Sequence, residues 1–307
     1  IEWFVYAQTA AYVITSLVTF LIVLNKAGKI TLRFDRKFIV VFLRKSYPYA
    51  LLILLMSFYN RIDGVMLERL LPEPLGKQQA GIYAQAFRLL DAVSMFGVLV
   101  AGLLRPIFAK MIKHREPVEQ MIKLSFTFLF VTAVVVAVSS IFYNQEIMEV
   151  LYHSNTEHSS ELLGILMTGF IGIATTYVFG TLLTANGSMK QLNWMAFAGM
   201  VINVTLNLIL IPRYLAFGSA YASLFTQIAT AIAQVILVTV IFKLKPNYLF
   251  LFKLLAFAGV SVIFAIVSQY FTNWFAGYLF LIVVSVLSAF LLRLFSIGDL
   301  FKLILTR

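Results

Sequence analysis

The chain has 307 residues, 61% of them hydrophobic and only 12% charged, with a net charge of +11 and no cysteine. Soluble domains carry about 25% charged and about 45–50% apolar residues, so a soluble globular class is excluded. The missing cysteines exclude a disulfide framework, a thiolate nucleophile and a Cys-ligated metal. A mean hydropathy of +0.93 belongs to an integral membrane protein, in which a positive balance reflects Lys and Arg held in cytoplasmic loops rather than nucleic-acid binding.

Transmembrane β-strands would alternate apolar and polar residues over about 10 positions, whereas a helical span needs about 20 mostly apolar residues. The uncharged runs are continuous and of the second kind, so the fold class is all-α. In chain order they are Trp3–Asn25, Leu124–Asn144, Leu162–Met189, Gln191–Pro212, Tyr214–Phe242 and Leu254–Leu292, the last broken at residues 271–278 into two. Two further spans, Tyr47–Leu70 and Tyr83–Ala109, are apolar but carry charges. This predicts about nine transmembrane helices.

The loops between these spans segregate by charge. Segments 25–45, 105–123, 185–191, 243–253 and 293–307 hold 19 of the 24 basic residues. The opposite loops hold Arg69, Lys77 and Arg213 against seven glutamates from Glu2 to Glu161. The positive-inside rule makes the first set cytoplasmic, with the N-terminus of the chain outside and the C-terminus inside. The basic stretch 25–45 reads as a headgroup anchor or a linker between two helical bundles. The longest outer segment, 144–161, holds His153 and His158 and reads as a solvated loop. The three histidines, including His114, all fall in connecting stretches, and no metal or other cofactor is expected. With an opening "IEWFVYAQ" at the outer end of a span, without Met or signal pattern, the expectation is the C-terminal part of a larger transporter.

Four charges lie inside spans: Arg61 and Asp63, then Arg88 and Asp91. An ionisable group at the centre of a lipid-facing helix costs at least about 2.5–3.5 kcal/mol on insertion scales, so these residues face protein or water. The second span runs outward and the third inward, which sets both pairs about 8–12 Å below the outer surface at 1.5 Å per residue. Arg88 and Asp91 are three apart and share a face. Arg61 and Asp63 are two apart, so one of them faces a cavity while the other turns to a neighbouring helix. Two readings are open: interhelical salt bridges, or a hydrated cavity for a substrate or coupling ion. Guanidinium groups there would suit an anionic ligand. Asn203 and Asn207 form one stripe, and Gln227 lies mid-span; such amides join helices in membranes or line a cavity.

These stretches carry a resemblance. "SYPYALLILLMSFYNRIDGVMLERLL", followed by "AGIYAQAFRLLDAV", resembles the seventh and eighth helices of bacterial polysaccharide flippases of the Wzx type. "LLTANGSMKQLNWMAFAGMVINVTLNLILIPRYLAFGSAYASLFTQ" adds the Asn-Gly turn, the Asn-bearing helix and the small-residue helix. Those proteins belong to the multidrug/oligosaccharidyl-lipid/polysaccharide exporter superfamily. The resemblance implies a MATE-like C-terminal lobe: 1–45 as the last helix of an N-terminal lobe (otherwise missing) with a basic cytoplasmic linker, 46–243 as a six-helix lobe, and 244–307 as two accessory helices and a cytoplasmic tail. It also implies a non-enzymatic flippase in a bacterial inner membrane. The substrate would be a polyprenyl-pyrophosphate-linked oligosaccharide for a cell-surface polysaccharide such as O-antigen or lipopolysaccharide, moved from the cytoplasmic to the periplasmic leaflet by alternating access. Its partners would be that substrate, membrane lipids and the missing lobe, with no nucleic acid. Arg61 and Arg88 would line a cationic cavity, and Asp63 would balance them or carry a coupling proton or sodium ion. A lipid II flippase shares the plan. A multidrug exporter of cations would favour an acidic or aromatic cavity, and a membrane-embedded enzyme would need a catalytic cluster that no span supplies.

Overall fold

The structure is a computed structural model that describes residues 2–27, 35–152, 156–245 and 247–294. Among the described residues it is built of helices joined by short turns: α1 (Glu2–Ala27), α2 (Arg36–Leu70), α3 (Leu75–His114), α4 (Glu119–Phe142), α5 (Asn144–Leu151), α6 (Thr156–Ala185), α7 (Met189–Phe242), α8 (Tyr248–Ser268) and α9 (Trp274–Leu291). Eight of these are long and apolar enough to cross a membrane. One of the eight crosses twice. Helix α7 is 54 residues long and leaves helical geometry at Leu215, where φ is 54° and ψ is −133°.

Pro212 cannot extend the hydrogen-bond ladder there. Gly218 has no Cβ, and one would run into the carbonyl of Leu210. That approach, eight residues apart, is impossible along a straight helix. Gly199 likewise lies against Thr230, so the two arms of α7, 189–214 and 216–242, form an antiparallel hairpin. The side chain of Gln79 on α3 accepts a hydrogen bond from Ala216 N at 3.2 Å and satisfies a backbone donor freed by the bend.

Two compact units divide the chain, residues 1–47 and 48–307. In the first, the described side chains of α1 are all exposed. Most of them are apolar, which suits contact with lipid rather than water. In the second, α6 is the hub, packed by α3, α4, α5 and α7, and its Leu162, Leu163, Phe170, Ala174, Val178 and Leu182 have no solvent-exposed surface. A helix apolar all round belongs in the middle of a bundle. A second cluster joins α4 to α8 and α9 through Val134, Val138, Phe257, Leu281 and Ala289. Tyr143 ties it down by donating to Ser268 Oγ at 2.8 Å.

Cross-helix pairs fix the directions within this unit. Asp63 meets Tyr83 and Arg61 meets Asp91, so α2 and α3 are antiparallel. Pro48 meets Asn193 and Asp63 meets Asn207, so α2 runs parallel to the first arm of α7. Lys123 stacks on Phe250 while Tyr143 reaches Ser268, so α4 and α8 are parallel. One end of the bundle therefore gathers Arg105, Lys110, Lys113, Arg115, Lys123, Lys190, Lys243 and Lys253, and the other Glu68, Glu73, Glu146, Glu149, Glu157 and Glu161.

Several boundaries differ from the sequence reading. Helix α2 begins at Arg36 rather than at Tyr47, α3 begins at Leu75 and runs to His114, and α6 begins at Thr156. Hydropathy marks only the lipid-immersed part of a helix, whereas Lys, Arg and Glu continue it into the headgroup layer with their charged tips in water. The predicted loop 144–161 holds the short helix α5, pinned by the fully buried Met148. His153, residues 28–34 of the basic stretch and the tail beyond 294 lie outside the described residues.

Candidate functional site

Helix α2 presents one narrow buried stripe, Tyr59, Asp63, Met66 and Leu67, spaced four, three and one as a helical face requires. Asp63 is thus carried into the bundle with 1% of its surface exposed. Its two oxygens are held by neutral donors. Tyr83 Oη on α3 donates to Oδ2 at 2.7 Å, and Asn207 Nδ2 on α7 donates to Oδ1 at 2.7 Å. The same Asn207 Nδ2 also reaches Asn203 Oδ1 at 3.1 Å. Both asparagines are fully buried, and Asn207 Oδ1 accepts no hydrogen bond. No cationic side chain forms an ion pair with Asp63 among the described residues.

Two residues earlier, Arg61 points the other way. Its Nη1 lies 2.8 Å from Asp91 Oδ2, with the two side chains 66% and 43% exposed. Its guanidinium lies 5.5 Å from the centre of the Phe87 ring. Beside it, Asn60 Oδ1 accepts from Gln227 Nε2 at 3.1 Å, which joins α2 to the second arm of α7. Arg61, Asp91, Asn60, Gln227, Tyr59 and Tyr177 line a chamber of about 220 Å³. Tyr59, Tyr177, Met56 and Thr176 are shared with a larger cleft of about 620 Å³ that continues along α3 as far as Arg105.

Glycines make this geometry possible. A Cβ on Gly97 would collide with the Tyr177 ring, and one on Gly172 would sit 2.8 Å from the backbone of Gln227. Their absence lets Tyr177 lie across α3 and brings α7 close enough for Gln227 to reach Asn60.

The sequence-predicted residues therefore divide into two groups. Asp63, Asn203 and Asn207 form one dry network that lines neither the chamber nor the cleft. Arg61, Asp91 and Gln227 line the chamber. Arg88 is exposed and lines neither space. The carboxylate three residues away, which spacing alone offered it, pairs with Arg61 instead, so the cation and carboxylate that come together are on different helices. Sequence reasoning missed Tyr83, Asn60, Tyr177 and Arg105. Tyr83 had a readable signal, because 63 and 83 are equidistant from the Pro72–Pro74 turn that joins the antiparallel helices.

An all-helical bundle with eight helices long and apolar enough to cross a membrane, and with charged and polar side chains gathered between them, defines a polytopic membrane protein. No family model and no curated protein matches the chain in sequence. Among solved structures it is similar to the lipid II flippase MurJ in its inward closed conformation, with a TM-score of 0.67 and 17% sequence identity over 96% of this chain. The chain spans 61% of the length of that structure, and a likeness at this identity concerns the fold.

Proposed function

We propose that the chain serves a flippase for a polyprenyl-pyrophosphate-linked saccharide, with Asp63 holding the coupling cation. The observation that carries the reading is the division of charge on α2: a dry carboxylate without a cationic partner, and two residues away an arginine facing a cavity. Stability alone accounts poorly for a buried carboxylate, since desolvation offsets most of what its hydrogen bonds contribute. A proton or a sodium ion would supply the missing positive charge. Sodium suits the site because hard cations take oxygen ligands, and Asn207, whose amide nitrogen meets the carboxylate, keeps its Oδ1 buried without a hydrogen-bond partner among the described residues. An ion bound there would tie α2 to α3 and α7 at once, and so bias one arrangement of these helices over another.

The anionic part of the substrate falls to arginine, whose planar fork matches phosphate oxygens. Arg61 is in the chamber, and Arg88 is an exposed cation without an ion pair among the described residues. The fold shared with a lipid II flippase favours lipid II as a second reading, and the two substrates have the polyprenyl pyrophosphate in common. Proteoliposomes containing the protein and a fluorescent polyprenyl-pyrophosphoryl-N-acetylglucosamine test both. Translocation should be much faster than in protein-free liposomes, and competition by lipid II against a different lipid-linked oligosaccharide ranks the two substrates. A rate equal to that of empty liposomes would remove the flippase reading.

The same proposal places the protein in a bacterial inner membrane with its basic end cytoplasmic. A membrane-impermeant amine reagent applied to intact spheroplasts should label Lys77 and leave Lys113 untouched. Labelling of Lys113 from outside would reverse the orientation.

A further inference from the structure

Helices α4 and α8 run side by side and are joined unequally at their two ends. At the acidic end, Tyr143 donates to Ser268 Oγ and Gln269 Nε2 donates to the Phe142 carbonyl at 3.1 Å. At the basic end, no hydrogen bond or ion pair links the two helices among the described residues. What stands there is a pair of lysines and a ring. Asn247 fixes the start of α8 by accepting from Phe250 N at 2.9 Å. Lys123 Nζ on α4 lies 5.2 Å from the centre of the Phe250 ring, within the range of a cation–π contact. Phe126 of α4 meets that ring edge-on at 6.5 Å and itself rests on Phe179 of α6 at 5.4 Å.

Lys123 has a carboxylate on its own helix. Glu119 precedes it by four residues, the spacing and order that favour an ion pair, yet the two form none. The ammonium turns across the seam to α8 instead. Lys253 follows Phe250 by three residues and so stands on the same face of α8. It is half-buried between the exposed Phe252 and the buried Leu254, and it too has no ion pair among the described residues. One seam therefore carries two ammonium groups and no carboxylate paired to either. Beside them Tyr248, Leu249 and Phe252 are exposed, and aromatic and apolar side chains next to lysines mark a helix end in the headgroup layer.

We infer that the seam between α4 and α8 at the basic end holds the phosphodiester of an anionic phospholipid, with Lys123 and Lys253 on its oxygens. Lysine binds phosphate as a point charge, and an anionic headgroup supplies the negative charge that the seam lacks. A zwitterionic headgroup brings an ammonium of its own, which two lysines repel. The acyl chains would lie along the outer side of α8, where Leu251, Phe252 and Leu255 are exposed. Neither lysine lines the Arg61 chamber or the larger cleft, so the site is separate from those cavities and independent of the flippase reading. A lipid held there would join α4 to α8 at the end that the Tyr143 hydrogen bond leaves free.

The test uses the purified 307-residue chain in a neutral detergent and three probes: dioleoyl phosphatidylglycerol, phosphatidylcholine with the same acyl chains, and inorganic phosphate. Retained lipid is counted by native mass spectrometry across a titration. Phosphatidylglycerol should bind about twentyfold more tightly than phosphatidylcholine, at roughly fivefold for each lysine. Lys123→Gln and Lys253→Gln should each weaken phosphatidylglycerol by roughly fivefold and leave phosphatidylcholine unchanged, and the double variant should bind the two lipids alike. Lys190→Gln removes the same charge from the same end of the bundle, at the start of α7, and should change neither affinity. Losses in the Lys190 variant equal to those at Lys123 and Lys253 would reduce the site to diffuse surface charge and overturn the inference. So would equal retention of the two lipids by the parent, which would make the seam part of an ordinary lipid shell. Displacement of phosphatidylglycerol by inorganic phosphate at equal affinity would also overturn it, since the site would then belong to a free anion.

Discussion

Asp63→Asn should reduce transport to the protein-free background while leaving abundance and thermal stability in detergent close to those of the parent. Asparagine has the shape of aspartate, its Oδ1 can accept from Asn207, and the hydroxyl of Tyr83 can turn to accept from its Nδ2. The network stays satisfied and only the negative charge is lost. Asp63→Ala is a different case. It leaves the Tyr83 hydroxyl and the Asn207 amide buried without their acceptor, at about 1–3 kcal/mol each, and abundance should fall along with transport. If the carboxylate holds the coupling cation, an imposed sodium or proton gradient should no longer raise the rate of the asparagine variant above that background. The measurement is translocation in proteoliposomes under imposed gradients, paired with melting curves. Parental rates and an unchanged gradient dependence in Asp63→Asn would show that the charge is dispensable, and the network would then be a helix-joining device of the kind polar residues commonly form in membranes.

The membrane-spanning plan was legible because it depends on quantities a sequence carries directly. Run length sets the spans, and the segregation of Lys and Arg from Glu separates the two ends, an arrangement the helix directions reproduce. The break of α7 was legible for the same kind of reason: Pro212 followed by Gly218 marks a place where a ladder stops and two backbones approach. The opposed directions of Arg61 and Asp63 followed from their spacing of two. What spacing could not give was the partner across helices. Arg88 and Asp91 are three apart, which makes them neighbours on an isolated helix but says nothing of a competitor from α2. Arg61 reaches Asp91 because α2 and α3 run antiparallel and its long side chain bridges them, with Phe87 under the guanidinium. The same limit applies to Asn203 and Asn207. Their stripe was visible in sequence, but whether it faced a cavity or a carboxylate depended on the register between α7 and α2, which the pairs Pro48–Asn193 and Asp63–Asn207 set. Arg105 was counted with the cytoplasmic charges, since hydropathy sees where a basic residue falls along the chain and not the cleft beside it.

Arg61→Ala and Asp91→Ala should each change stability by no more than about 1 kcal/mol, because an ion pair with both members well exposed contributes about 0–1 kcal/mol. Transport should respond far more strongly. If Arg61 meets the pyrophosphate, its loss removes charge-assisted hydrogen bonds of about 1.5–3 kcal/mol each, so the rate at limiting substrate should fall by about tenfold to a hundredfold. Asp91→Ala should act in the opposite direction on binding, since it releases the guanidinium from a competing carboxylate, and the apparent KM should fall or stay level. The exchanged double variant, Arg61→Asp with Asp91→Arg, separates a clasp from a binding group. It restores the ion pair between α2 and α3 with the same two charges, but moves the guanidinium from one helix to the other. A clasp works equally well in either direction, whereas an anion-binding fork displaced by even about 1 Å loses on the order of a hundredfold. The exchanged variant should therefore keep normal abundance and remain at least tenfold slower than the parent. Recovery of the full rate would assign Arg61 to holding α2 against α3, and the phosphate contact would pass to Arg88, which has no ion pair among the described residues and whose own alanine variant is measured in the same series.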